Sequence, residues 1–347
     1  MVQLKAGVIN VTGYIGCELA RLLHQHPQVE LKSVTGRSTA GKMLRDVFPH
    51  FANTDYRIEA ELDANVDIIF SAMPHKTSVN VIPPLLTPGI KVIDVSADFR
   101  LKDERQYPKW YGFTHPMPEL LKKAVYGLPE LHRTDISTAQ LVANPGCYST
   151  GAILALAPAV KRNLIYGDIV IDSKSGISGA GRSLNLSSHY AEANENTCAY
   201  AIEGHRHLAE IEQELHALDP ELQLSITFVP HLVPMTRGIL TSSYATLKKD
   251  WRGHGDKAKD ELQQIYKEFY QNAPFIKIVS SPPQTRYAWG TNYCFIYPTI
   301  DVNANRLIII SSLDNLVKGG AGQALQNMNI AYNFPETAGL ESLAVSP

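Results

Sequence analysis

The N-terminal third of the chain alternates short apolar runs with helix-length segments, and that alternation constrains the fold more than any other feature. Residues 5–10 (KAGVIN) read as a buried strand, and Tyr14–His24 (YIGCELARLLH) follows with Leu19, Leu22 and Leu23 at helical spacing. Further short strands are expected at Val29–Thr35 and at residues 66–71, 91–95 and 140–143. Strands separated in this way by helix-sized or loop segments specify parallel βαβ units.

Beyond Cys147 the pattern changes. Residues 150–161 (TGAILALAPAVK) are apolar almost all round, as a helix buried between layers would be. Residues 169–173, 224–228, 238–247, 294–300 and 307–313 are longer strand candidates, several of them β-branched runs suited to a more antiparallel sheet. Helices are expected at residues 208–218 and 256–270, and a last one at 319–329 directly after the final strand.

Length and charge narrow the function. At roughly 100–200 residues per domain, 347 residues argue for two domains. Lys and Arg number 32 against 34 Asp and Glu, a net charge of −2, which offers no basic face for a nucleic acid. The 19% of charged and 44% of hydrophobic residues belong to a folded chain. No signal sequence or membrane span is legible, so a soluble, cytoplasmic protein is expected. Cys17, Cys147, Cys198 and Cys294 include no C-x-x-C pair, so neither a disulfide framework nor a metal site is expected.

The first strand–helix turn is Asn10-Val11-Thr12-Gly13-Tyr14-Ile15-Gly16. Gly13 would let the backbone approach a pyrophosphate, Gly16 would allow close helix–strand packing, and the helix start would offer N–H groups to the anion. Asn10 replaces the usual first glycine, and Asn is the non-glycine residue that best tolerates positive φ. A plain glycine-capped turn is the alternative. At the end of the second strand no acidic residue appears; Arg37 and Ser38 suit a ribose 2′-phosphate, which favours NADP(H) over NAD, unless they form only a solvated basic loop.

Cys147 follows a Pro145-Gly146 turn at a helix start, where partial positive charge favours thiolate. The other three cysteines fit buried small hydrophobes better. His205 and His207 precede an amphipathic helix, and Glu210 on its first turn could fix an imidazole tautomer. A Cys–His pair alone suits a hydrolase or an acyltransferase equally well.

Longer motifs resolve that ambiguity by resemblance. Asp94–Arg100 (DVSADFR), Tyr126–Glu130 (YGLPE), Asn144–Thr150 (NPGCYST), the HRHLAEIEQEL helix start, Pro230–Gly238 (PHLVPMTRG) and Asp314–Ala324 (DNLVKGGAGQA) occur in order along nearly the whole chain. Together they resemble the N-acetyl-γ-glutamyl-phosphate reductases of arginine biosynthesis, within the semialdehyde dehydrogenase superfamily. The resemblance implies an α/β protein: a Rossmann-type NADP-binding domain at residues 1–146 plus 319–347, and an α+β catalytic and oligomerisation domain on a mixed or antiparallel sheet at 147–318.

It also implies roles. Cys147 would form a thioester, with His205 preferred over His207 as acid/base and Glu210 as orienter. Thr12, Gly13, Tyr14, Ile15, Gly16, Arg37, Ser38, Ser178, Gly179 and Asn315 would hold NADP(H). Arg100, Asn144, Arg182 and Arg237 would meet the substrate, an acyl phosphate that yields inorganic phosphate. A homo-oligomer, dimer or tetramer, is implied as well, with no nucleic-acid or membrane partner. Three rivals stand beside this reading: a lysine-pathway relative acting on a carrier-bound aminoadipyl phosphate, a Cys/His hydrolase or acyltransferase, and an NADP-binding redox sensor without turnover.

Overall fold

Seven strands of the N-terminal part pair side by side without a single antiparallel contact. They are β1 (Leu4–Ile9), β2 (Val29–Thr35), β3 (Ile58–Glu59), β4 (Ile68–Ser71), β5 (Lys91–Asp94), β6 (Val125–Tyr126) and β7 (Leu141–Ala143). All pairs are parallel, in the order β3-β2-β1-β4-β5-β7-β6. This computed structural model describes residues 3–252 and 255–345. The chain divides into two units, Met1–Pro145 with Gly320–Ser342 and Gly146–Gly319 with Leu343–Pro347.

In the first unit the sheet is buried as a parallel sheet must be, with Ala6, Val8, Ile68 and Phe70 wholly excluded from solvent. From β1 the chain builds outward through β2 and β3, then returns to β4 on the other side of β1. That reversal leaves a crevice at the carboxyl ends of β1 and β4, the place where open α/β sheets take ligands. The helix Tyr14–His24 buries Leu19, Leu22 and Leu23.

The last helix departs from expectation. It runs Gly322–Ala331, and a π-helical turn, Val317–Ala321, separates it from the final strand. Asp314 explains the delay, because its side chain accepts the N–H groups of Leu316 (2.8 Å) and Val317 (3.3 Å) and its carbonyl accepts that of Gly319 (2.9 Å). The helix itself is buried although polar. Asn327 donates to Gly127 O and Asn144 Oδ1, and Asn329 to Ala338 O, so the side-chain N–H groups of these two residues find acceptors inside the core.

The second unit carries β8 (Ile165–Gly176), β9 (Cys198–Ala199), β10 (Ser225–Val233), β11 (Ile239–Leu247), β12 (Ile276–Ile278), β13 (Cys294–Asp301) and β14 (Arg306–Leu313). Their order is β12-β13-β14-β11-β8-β10-β9; β8 and β10 run parallel, as do β12 and β13, and the rest are antiparallel. One face of this mixed sheet packs against the helix Cys147–Lys161, buried from Tyr148 to Val160. Pro158 lies inside that helix and has no N–H for the carbonyl of Leu154. The Tyr270 hydroxyl supplies the missing donor at 2.6 Å, while Tyr266 donates to Ala155 O at 2.8 Å. On the opposite face pairing register aligns Val170, Tyr244, Ile308 and Thr299, and Tyr166 and Val170 stand 53% and 38% exposed there.

Candidate active site and cofactor cleft

A cleft of about 500 Å³ opens where β1, β2 and β4 end, lined by Asn10, Thr12, Gly36, Arg37 and Ser38 among others. Asn10 adopts φ 64°, the left-handed conformation its residue type permits, and its amide donates to Ala72 O at 2.8 Å. The two glycines of the turn differ in what they are for. A Cβ on Gly16 would lie 2.3 Å from Asn10 O, so helix and strand could not pack as they do. A Cβ on Gly13 would meet nothing closer than Asn10 Nδ2 at 3.6 Å, so the space before it is open to a ligand. Tyr14 and Ile15 begin a helix whose first turn has no acidic residue, leaving its positive end uncompensated. Arg37 and Ser38 are exposed on the cleft wall. The opposite wall, with Glu61, Met73, Pro74 and Thr77, carries no sequence signal, because these residues come from loops after β3 and β4. These donors fit a phosphorylated dinucleotide.

In the second unit, Gly146 caps the helix and Cys147 is its first residue, so the sulfur sits at the positive end of a fifteen-residue helix. Two close approaches confine it. A Cβ on Gly319 would fall 2.7 Å from Cys147 Cβ, and one on Gly146 would fall 2.5 Å from His207 Nε2. The His207 ring therefore lies against the turn that presents the cysteine. Glu210, wholly buried, accepts the Gly146 N–H at 3.0 Å and stands 4.0 Å from His207 Nε2. That hydrogen bond fastens Glu210 to the cysteine turn, and its carboxylate also stands beside the His207 imidazole, the kind of ring the sequence expected it to orient.

His205 is held differently. Its Nδ1 accepts the backbone N–H of His207 at 3.1 Å, so the neutral ring carries its proton on Nε2. Tyr148, Tyr200, Phe228 and His207 surround it edge-on at centroid distances of 4.7–5.6 Å. Burial in this aromatic box pushes its pKa down to about 4, with the charge of Arg206 adding to the effect. Tyr200 donates to the Tyr148 hydroxyl and Tyr148 to His231 O; burial holds both phenols protonated, Tyr200 pushed up to about 12.

Cys147, His205 and His207 line one cavity of about 660 Å³, together with Gly179, Glu192, Cys198, Tyr200 and Arg206. The other expected residues divide. Asn315 donates to Ser178 Oγ at 2.9 Å and accepts the Gly238 N–H at 2.8 Å, pinning the turn Ile177–Ala180 that brings Gly179 to the wall. Arg182 is exposed and outside the lining, and Arg237 is paired with the buried Asp314 at 3.3 Å.

Two substrate candidates belong to the first unit's interior. Arg100 is 4% exposed and donates to Val95 O at 2.8 Å. Asn144, expected to touch substrate, is wholly buried, with its amide on Gly320 O and its carbonyl oxygen accepting from Asn327. Of the three cysteines expected to be buried, only Cys294 is. Cys17 is half-buried, 3.6 Å from His50 Nε2, and Cys198 is exposed because β9 is a two-residue edge strand. Arg206 and Tyr200 were missed, though the H-R-H spacing places Arg206 between two histidines of one cavity.

Residues 5–139 match the family described as semialdehyde dehydrogenase, NAD binding domain, and residues 147–315 match semialdehyde dehydrogenase, dimerisation domain. The chain is 55% identical, over 347 residues and the full length of both, to a Dehalococcoides mccartyi protein named N-acetyl-gamma-glutamyl-phosphate reductase. A Halothermothrix orenii protein of the same name is 44% identical across 99% of this chain and 100% of that one. Among solved structures, aspartate semialdehyde dehydrogenase II complexed with ASA from Vibrio cholerae matches with a TM-score of 0.71 at 16% identity, covering 95% of this chain and 98% of that chain. Aspartate semialdehyde dehydrogenase with NADP from Candida albicans gives 0.69 at 15% identity, with 95% and 98% covered.

Proposed function

The chain belongs to the semialdehyde dehydrogenase family, and from that premise we propose that it reduces N-acetyl-γ-glutamyl phosphate with NADPH, releasing phosphate and N-acetylglutamate semialdehyde for arginine biosynthesis. The observation that carries this reading is the cavity that gathers Cys147, at a helix start, with His205 and His207.

The Cys147 thiolate attacks the acyl carbon, the S–C bond forms, and the C–O bond breaks with its electron pair leaving on phosphate. The Asn10–Gly16 turn would hold NADPH by its pyrophosphate and Arg37 and Ser38 by its 2′-phosphate, and the cofactor would supply the hydride that reduces the thioester. The resulting alkoxide collapses to aldehyde and returns the thiolate, so this half needs no net proton. We divide the histidine roles accordingly. His205, neutral and protonated on Nε2, donates a hydrogen bond to the substrate oxygen as it becomes negative. His207, beside Gly146 and supported by the Glu210 carboxylate, takes the thiol proton and passes it to departing phosphate, and the thiolate returned by the second half regains a proton from solvent by the same route. The sequence ranked His205 first for proton transfer; an Nδ1 already accepting a hydrogen bond suits a donor better than a base. Asn315 and Ser178 shape the turn that would face the cofactor.

A homo-oligomer forms through the face of the mixed sheet where Tyr166 and Val170 are exposed, in keeping with a domain family described as a dimerisation domain. A catalytic thiolate needs a reducing compartment, read here as the cytoplasm. The test is a reverse-direction assay with N-acetylglutamate semialdehyde, phosphate and NADP, repeated with NAD and with the aminoadipyl analogue. Phosphate-dependent NADPH formation, clearly faster with NADP and the acetylglutamyl substrate, is expected. Hydrolysis of activated esters without dinucleotide, and no NADPH formed, would support the hydrolase instead.

A further inference from the structure

Arg206 sits between the two histidines, as the residue capping the helix His207–Leu218, and its side chain is exposed to the Cys147 cavity. Arg206 lines the same cavity as His205 and Tyr200, and its charge adds to the lowering of the His205 pKa. Every other arginine considered for the substrate is committed or lies elsewhere. Arg237 is on Asp314, Arg100 is buried on Val95 O, and Arg182 is outside the lining. Among the residues that line this cavity Arg206 is the single arginine, Glu192 the single carboxylate, and Asn185, Ser187 and Asn196 supply neutral polar groups.

We propose that Arg206 holds the α-carboxylate of the acyl substrate and so sets the enzyme's preference for an amino-acid-derived acyl group. The proposal rests on the function argued above. A pocket with one cation and one anion suits a monoanionic carboxylate beside an amide better than it suits a dianionic phosphate. The carboxylate also stays bound through thioester formation and reduction, whereas phosphate must leave in between. A guanidinium gripping phosphate would slow that departure, while one gripping the carboxylate through a planar fork positions the acyl carbon over Cys147 in both halves.

The reverse reaction separates the two anions, because semialdehyde and inorganic phosphate are then distinct substrates with separate KM values. Arg206→Ala should raise KM for the semialdehyde about 10- to 100-fold, the size of a lost charge-assisted hydrogen bond. KM for phosphate should stay within about 3-fold, kcat should fall by less than the semialdehyde KM rises, and Arg206→Lys should lie between. Replacing the α-carboxylate by a carboxamide should penalise the wild-type enzyme by a similar factor and leave Arg206→Ala almost indifferent. An unchanged semialdehyde KM overturns the proposal. So does an increase confined to phosphate, which would move Arg206 to the leaving group. Circular dichroism of each variant reports folding, and if Arg206→Ala does not fold, Arg206→Lys and the carboxamide arm still decide. A wild-type enzyme inert in this assay would instead overturn the function on which the proposal rests, and the proposal with it.

Discussion

Glu210 accepts the backbone N–H of Gly146 at 3.0 Å, so a wholly buried carboxylate is tied to the residue that precedes Cys147. Replacing it with Ala leaves that N–H without its acceptor, at a cost of about 1–3 kcal/mol. Glu210→Ala should therefore melt at lower temperature and lose turnover. Glu210→Gln keeps an acceptor oxygen but removes the charge beside His207. It should recover stability while kcat stays depressed and the pH profile of Cys147 alkylation shifts. Two variants indistinguishable from wild type in both measurements would dismiss the link.

The glycines of the first turn separate folding from cofactor binding. Gly16→Ala forces a Cβ to within 2.3 Å of Asn10 O, so loss of thermal stability is expected together with loss of NADPH binding. Gly13→Ala meets only ordinary contacts in the protein. It should melt like wild type yet bind NADPH at least about 10-fold more weakly, because its methyl occupies the approach of the pyrophosphate. Fluorescence titration beside a melting curve distinguishes the two; equal NADPH affinity in Gly13→Ala and wild type would count against the cleft.

His205 makes stability depend on pH in a defined direction. Burial lowers its folded-state pKa from 6.5 to about 4, so the unfolded chain takes up a proton first as pH falls. Its contribution is fully present above about pH 6.5 and is lost as pH falls towards 4. Urea unfolding between these limits should show a shallower pH slope in His205→Gln than in wild type. Identical slopes would mean that His205 titrates normally.

Tyr270 and Pro158 form a coupled pair within the second unit. Tyr270→Phe removes the donor to Leu154 O that Pro158 cannot replace, and should cost about 1–3 kcal/mol. In a Pro158→Ala background, where residue 158 regains its own N–H, the same change should cost less. Additive effects in a double-mutant cycle would show the two to be independent.

Much of this architecture is legible from pattern. Tyr14–His24 and Val29–Thr35 match their elements end to end, because each buries a periodic face bounded by turns. The strand read at residues 169–173 is the centre of the longer β8, whose flanks alternate exposed Tyr166 and Asp168 with buried Ile165 and Gly167. Two-residue strands such as β3, β6 and β9 carry no period at all and depend on their neighbours. The position of Cys147 at a helix start is legible because the Pro145-Gly146 turn directly precedes it. Asn144 is legible as part of a motif, but its burial and its partners at Gly320 and Asn327 are not, because those partners lie 176 and 183 residues away in the chain. Arg206 is hidden by its neighbours, since two histidines draw the eye from the residue between them.

The central claim is that Cys147 carries the acyl group. Mixing the enzyme with N-acetyl-γ-glutamyl phosphate in the absence of NADPH, quenching in acid and weighing the intact chain tests it most directly. A mass increase of one N-acetylglutamyl group is predicted, located on the peptide containing Cys147, removed by hydroxylamine and absent from Cys147→Ser. An unmodified chain, or an adduct on another residue with Cys147→Ser still turning over, would contradict the account.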